Sequence, residues 1–324
     1  MMTATTGSLP VELRPPDIGR YRHGSHAIPY AITLAGGRPG PHVVISALMH
    51  GNELCGAIAA DRLLSAGLRP ARGRLSFIFC NIPAFAQFHP DYPAMSRYVD
   101  EDMNRVWSPG RLDALPAPGD SGELRRAREI WPLFASADLV LDIHSMLHDT
   151  VPMMLAGAAP RALALAQHIG LPGWIVTDQG HAGGSRLIDH PRFTGPEPEG
   201  PTALLVECGQ HWQRQAADTA LTIAARFLEI SDIIQRDALT PWLPSTPWAA
   251  SRLVEVTQTI TVLTNQFHFT HEVSGMDIIP TAGTLIALDG DRPVRTPHDH
   301  CILIMPARHP VRGHTAVRLG RLVA

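Results

Sequence analysis

Two spacings of apolar residues alternate along the chain up to about residue 235. Short, almost unbroken apolar runs at Val43–Ala47, Leu75–Cys80, Leu139–Ile143, Pro152–Leu155, Trp174–Val176 and Ala203–Val206 predict strands. Several carry no polar residue on either side, which predicts strands buried on both faces. Between them lie segments of helical spacing. Asn52–Ala66 holds Leu54, Ala57, Ile58 and Leu64, and Gly122–Ala135 is charged on one side. Ala216, Ala220, Ile223, Phe227, Ile230 and Ile234 follow one another at helical steps of four and three. Strands alternating with helices predict an α/β fold: a mostly parallel, mixed central sheet with helices on both faces. In such sheets, chemistry gathers at the carboxyl ends of the strands.

The pattern changes after about residue 236. Pro241, Pro244 and Pro247 mark a connector. Beyond it, β-like runs at Leu253–Val262, Thr284–Leu288 and Cys301–Met305 are punctuated by Ala282-Gly283 and Asp289-Gly290-Asp291. The expectation is an α/β domain over residues 1–240 and a small all-β, sandwich- or barrel-like domain over residues 250–324. Residues 1–20 read as irregular, and Gly195–Pro201 as a loop.

Composition narrows the field. A hydrophobic share of 45% and a charged share of 18% fit a soluble globular chain. A net charge of −3 gives no electrostatic case for nucleic acid or a membrane surface. All 27 basic residues are arginine, which excludes Schiff-base, P-loop and carrier-lysine chemistry. Cys55, Cys80, Cys208 and Cys301 are scattered without a C-x-x-C pair, as expected of reduced thiols in a cytoplasmic protein. Met1–Gly7 lacks the basic and apolar regions of a secretion signal. No apolar run approaches the ~18 residues that span a bilayer. The partner class left is a small molecule, with self-association into a homo-oligomer open.

His50 and Glu53 lie three residues apart at a strand-to-helix junction, a spacing that puts both side chains on one side of a first helical turn. His144 ends another apolar run. Two histidines and a carboxylate form the ligand set of a catalytic zinc, although a lone His-x-x-Glu also suits a satisfied polar group. Ser96–Trp107 crowds charged and aromatic residues without periodicity. It reads either as a solvated loop with ion pairs Arg97–Asp100 or Arg105–Asp102, or as an anion-binding loop of arginine forks with Asn104 as a neutral donor. Glu207 ends an apolar strand, where carboxylates are rare unless paired or functional. It is either bonded to backbone or arginine, or a general base of raised pKa. Asp142, on the same strand face as His144, either orients a histidine or forms a structural salt bridge. His211, four residues beyond Glu207, is a pocket candidate.

Together, His50-Gly51-Asn52-Glu53, Arg97–Arg105, Asp142-Ile143-His144-Ser145 and Val206-Glu207-Cys208-Gly209 resemble the succinylglutamate desuccinylase and aspartoacylase family, with its zinc carboxypeptidase-like fold. The motifs come in that family's order, and the resemblance covers roughly residues 27–235. It implies one Zn2+ per chain on His50, Glu53 and His144, and Arg97 polarising the scissile carbonyl. It further implies Asn104 and Arg105 on the substrate carboxylate, and Glu207 as general base and later proton donor. The implied activity is deacylation of an N-acyl amino acid or similar small carboxylate-bearing amide. A carboxypeptidase, an esterase and a non-catalytic metal-binding relative remain as alternatives. The C-terminal Ile279–Ala287 pattern resembles biotinyl- and lipoyl-type β folds, but without lysine it is no carrier. The family places a C-terminal tyrosine over the site, whereas this chain has none after Tyr98. His268, His271, His298 and His300 are candidate substitutes, though such histidines are expected mostly at the surface.

Overall fold

The computed structural model describes residues 10–181, 183–244 and 250–323. The first seven residues, and Ser245 to Pro247 of the connector, therefore lie outside the described residues. The strands are β1 (Ala31–Ala35), β2 (His42–Ala47), β3 (Arg74–Phe79), β4 (Leu139–Met146), β5 (Met153–Leu155), β6 (Trp174–Thr177) and β7 (Thr202–Gln210). They continue with β8 (Arg252–Thr261), β9 (Phe267–Phe269), β10 (Ile278–Ile279), β11 (Leu285–Asp289), β12 (Arg292–Arg295), β13 (Cys301–Ile304) and β14 (Thr315–Val323). All six strands expected before residue 236 form where the apolar runs lie.

The central strands β3, β2, β4 and β7 are mutually parallel. Their side chains alternate between two cores, as the two-residue period of a strand dictates. Val43 and Ile45 of β2, Leu141 and Ile143 of β4, and Leu204 and Val206 of β7 face one side. There they pack under the helices Leu54–Ser65, Pro160–Ile169 and Arg214–Ile230. Val44, Val140, Ala203 and Leu205 face the other side, against Leu124, Ala127, Ile130 and Phe134 of the helix Gly122–Ala135. Strands buried on both sides explain why the sequence shows unbroken apolar runs there.

The sheet holds 11 strands in the order β1-β3-β2-β4-β7-β5-β6-β8-β14-β13-β10. The bridge into the C-terminal part is the parallel pair β6–β8, followed by the long antiparallel pair β8–β14. Among the described residues beyond 250, strands are the only regular elements, and β12-β11-β9 form a separate 3-stranded sheet. No helix among the described residues is long and apolar enough to cross a membrane.

Leu141 sits in mid-β4, fully buried between β2 and β7. Leu141→Ala is expected to lower unfolding free energy by about 2–5 kcal/mol, the range for deleting a packed core leucine. Urea denaturation checks this, and a loss below about 1 kcal/mol would show that the centre of the sheet is not tightly packed.

Candidate functional site

Register brings the chemistry together. Ser46 of β2 pairs with Asp142 of β4, and His144 of β4 pairs with Glu207 of β7. His144 and Glu207 are thus neighbours across two parallel strands. The chain leaves β2 through Leu48, whose φ of +58° is unusual for a branched side chain. That turn carries His50 to the strand ends and leads into the helix Leu54–Ser65. Gly51 is required by close approach rather than by dihedral freedom. A Cβ there would lie 2.3 Å from the Ala84 carbonyl carbon and from the Phe85 nitrogen. The Gly51 N–H donates to the Arg97 carbonyl at 3.1 Å, tying this turn to the charged loop.

His50, Glu53 and His144 are all buried, and one ligand atom from each lies within 4.8 Å of the others. Nδ1 of His50 is 2.7 Å from Glu53 Oε1, and Nδ1 of His144 is 2.9 Å from Glu53 Oε2. The outer nitrogens meet carboxylates as well: His50 Nε2 lies 2.8 Å from Asp102 Oδ1, and His144 Nε2 lies 2.8 Å from Asp142 Oδ2. An outer N–H donated to each aspartate leaves a lone pair on each inner nitrogen of a neutral ring. Those lone pairs then face a carboxylate that is itself acceptor-only. Either the rings take up extra protons or a cation lies among the three groups. Two imidazoles and a carboxylate, each ring steadied by an aspartate, fit a divalent cation.

The electrostatics follow from burial and proximity. Burial alone would raise the Glu53 carboxyl, but the facing imidazoles hold it well below the usual range. Burial would likewise lower His144, yet Asp142 and Glu53 hold it well above the ordinary value. Asp102 is held far down against its burial by His50, Arg97 and Arg105. Glu207 behaves in the opposite way. Burial, reinforced by Glu53 and Asp142 and opposed by His144 and Arg97, pushes it up to about 8. Among the described residues its buried Oε2 has no hydrogen-bond partner.

The charged loop enters the same site. Arg97 donates from Nη2 to Asp102 Oδ2 at 2.9 Å, with Nη1 3.7 Å from Glu53 Oε1. Its expected partner Asp100 instead accepts from the Gly122 N–H, because the loop folds back onto the start of the helix Gly122–Ala135. Arg105 lies 3.8 Å from Asp102, and Asn104 Oδ1 accepts from the Leu187 N–H at 3.0 Å. The Asn104 NH2 group is therefore its remaining donor to the cavity it lines. Buried Glu123 anchors the loop by accepting from the Val99 and Asp100 N–H groups at 2.7 and 3.2 Å. His211 lies in the cavity wall, 2.8 Å from Ser145 Oγ, and burial pushes it down to about 3.

The His–Glu–His cluster, Arg97, Asp102, Asn104, Arg105, Glu207 and His211 line one cavity of about 1000 Å³. Its far wall comes from the C-terminal strands and loops, including Phe269, His271, Met305, His314 and Arg318. Of the four histidines considered as tyrosine substitutes, His271 lines this cavity, and His268, His298 and His300 are not part of its lining. Glu123, His181 and Arg318 were not singled out by sequence reasoning, which named Asp102 as an ion-pair partner of Arg105 and Ser145 within a motif but gave neither a role in the site. Asp102 carried a usable signal inside the charged loop two residues before Asn104, and Ser145 carried one next to His144.

Fold and site together define a class of α/β proteins with buried polar chemistry at the carboxyl ends of the central strands. Residues 39–229 match the family model described as Succinylglutamate desuccinylase/Aspartoacylase catalytic domain. The chain belongs to this family, whose reaction is amide hydrolysis. Among curated relatives, the human N-acyl-aromatic-L-amino acid amidohydrolase (carboxylate-forming) is 30% identical over 141 residues. That match covers 40% of this chain and 41% of the human protein. The succinylglutamate desuccinylase structure from Vibrio parahaemolyticus superposes with a TM-score of 0.66 at 18% identity, covering 91% of this chain and 87% of that one. The succinylglutamate desuccinylase/aspartoacylase structure from Rhodobacter sphaeroides gives 0.63 at 20% identity, covering 91% and 89%. At such identities the structures show the shared fold.

The His–Glu–His cluster should bind one divalent ion, and His50→Ala should abolish that binding. Asp102→Asn should weaken it by about 10–100-fold, the usual effect of removing a carboxylate behind a ligating imidazole. Competition titration against a chromogenic chelator reads both. Unchanged affinity in Asp102→Asn would show that Asp102 serves the arginines instead.

Proposed function

We propose that the chain is a zinc-dependent hydrolase of a linear amide in an N-acyl amino acid or similar small carboxylate-bearing substrate. The observation that carries this reading is Glu207. It is a buried carboxyl raised to about 8, with an oxygen that has no hydrogen-bond partner among the described residues, beside the His144 imidazole and the Glu53 carboxylate at a cavity. A structural carboxylate so placed would leave a desolvated acceptor unmet. The N-acyl amino acid activity named for the human relative supports the substrate class.

In this reading His50, Glu53 and His144 would hold zinc through two imidazoles and one carboxylate. When bound, zinc lowers the pKa of the attacking water towards about 7 and polarises the carbonyl. A cation on His50, Glu53 and His144 would oppose the rise at Glu207 and favour its ionised carboxylate, so Glu207 would take a proton from the attacking water and later deliver it to the leaving nitrogen. Arg97, partly open to the cavity beside Glu53, donates to the carbonyl oxygen as it gains charge. Arg105 and the Asn104 NH2 group hold the substrate carboxylate, and His211, neutral and fixed by Ser145, shapes the wall beside it. Residues 1–240 carry this machinery and residues 250–324 cover it. The enzyme acts on a small molecule in the cytoplasm.

Glu207→Gln keeps shape and should keep zinc, yet lose at least ~10²-fold in turnover, since general base catalysis contributes about 10²–10⁴. Amine release from N-acyl amino acids, alongside zinc analysis of the same samples, measures both. Near-normal turnover would move the base to another carboxylate. Arg105→Lys keeps the charge but loses the two-pronged fork, so KM should rise while zinc content stays constant. An unchanged KM would leave Arg105 a purely structural role.

A further inference from the structure

Arg318 sits in mid-β14, paired with Ile304 of β13 and Thr259 of β8. It is 7% exposed, yet it forms part of the wall of the cavity that holds Glu207. Among the described residues its side chain makes no hydrogen bond. Its Nε is buried without a partner. The carboxylate beside it, Asp178, lies 3.6 Å from Nε and is already engaged. Arg186 donates to both Asp178 oxygens, at 2.9 and 2.5 Å, and also to both oxygens of Asp189, at 2.8 Å each. Arg186 is thus satisfied, and Arg318 is left over.

A buried guanidinium whose neighbouring carboxylate is 3.6 Å away and already bonded to another arginine is costly unless something supplies a closer acceptor. The neighbourhood does not. Burial, together with nearby Arg105, Arg318 and Arg186, pushes His181 down to about 3, and the Nδ1 of its neutral ring already accepts from the Gly183 N–H at 2.9 Å. Arg105 donates to the Asn104 carbonyl at 2.6 Å, and the Asp102 carboxylate 3.8 Å from it is shared with Arg97 and His50. The corner therefore gathers three arginines with two aspartates that one of them already occupies.

We propose that Arg318 is an anion-binding residue of this cavity, supplied by the last strand, which grips an acidic group of the bound substrate. The inference rests on the proposed reading only in placing substrate in this cavity. A carboxylate from either of two positions would serve. One is the group already assigned to Arg105, held from a second side. The other is a further acidic group on the substrate.

The test is calorimetric binding to the zinc-loaded Glu207→Gln protein, with and without Arg318→Met. Methionine keeps an apolar stem and removes the charge. The probes are N-acetyl-L-aspartate and N-acetyl-L-asparagine, nearly isosteric and differing in one negative charge. Arg318→Met should weaken binding of the aspartate probe by at least about tenfold, the smaller end of what a hydrogen bond to a charged group contributes. Loss on that probe alone assigns Arg318 to a second acidic group, and loss on both assigns it to the carboxylate shared with Arg105. No loss on the aspartate probe, or no binding of it before the substitution, overturns the proposal. Arg318→Gln provides the same comparison if the methionine variant does not fold. Because binding is read without turnover, a chain that binds through Arg318 but never releases amine would refute the hydrolase reading alone.

Discussion

The site depends on one crowded electrostatic arrangement. Glu53 is buried between two imidazoles, each ring backed on its outer nitrogen by an aspartate. Three carboxylates and two histidines in a poorly solvated pocket are tolerable only if positive charge is shared among them. The inner nitrogens point at Glu53, the outer ones are spoken for, and Arg97 bridges towards Glu53 and Asp102. A divalent cation satisfies that geometry with the groups already in place. The parallel register of β2, β4 and β7 exists in support of it, because sliding β4 by one residue would turn His144 and Asp142 to the wrong face.

Much of this was legible in the chain because burial on both faces leaves an unmistakable mark. The unbroken apolar runs of β2, β4 and β7 announced the central sheet, and the polar residues interrupting their ends announced the site. The less legible elements lie where that mark fades. β1 is a five-residue edge strand, one residue buried, three partly buried and one exposed, running into Gly36-Gly37. β14 is interrupted by Arg318 and Gly320, so its apolar pattern looks broken although most of its residues are buried. The helix Pro160–Ile169 is alanine- and leucine-rich without a clean polar face.

Pairings across the sequence were the hardest to read. Local spacing suggested that Arg97 meets Asp100, but the loop bends so that Asp100 caps a helix and Asp102 receives both Arg97 and His50. Ser145 links Glu53 to His211 through its N–H and its hydroxyl. That connection spans β4 and β7 and has no sequence signature. The C-terminal wall follows the same rule. Without a tyrosine beyond Tyr98, the cover over the cavity is made of His271, His314, Phe269 and Arg318, which only the folding of β8 and β14 onto the central sheet reveals.

The central claim is that this buried cluster works as a metal site for amide hydrolysis. The most direct test strips the protein with a chelator and returns zinc in measured amounts. Amine released from a panel of N-acyl amino acids is followed at each addition. The account predicts no turnover in the stripped protein and recovery that saturates at one zinc per chain. Full activity without metal, or no amine release from any substrate at saturating zinc, would contradict it.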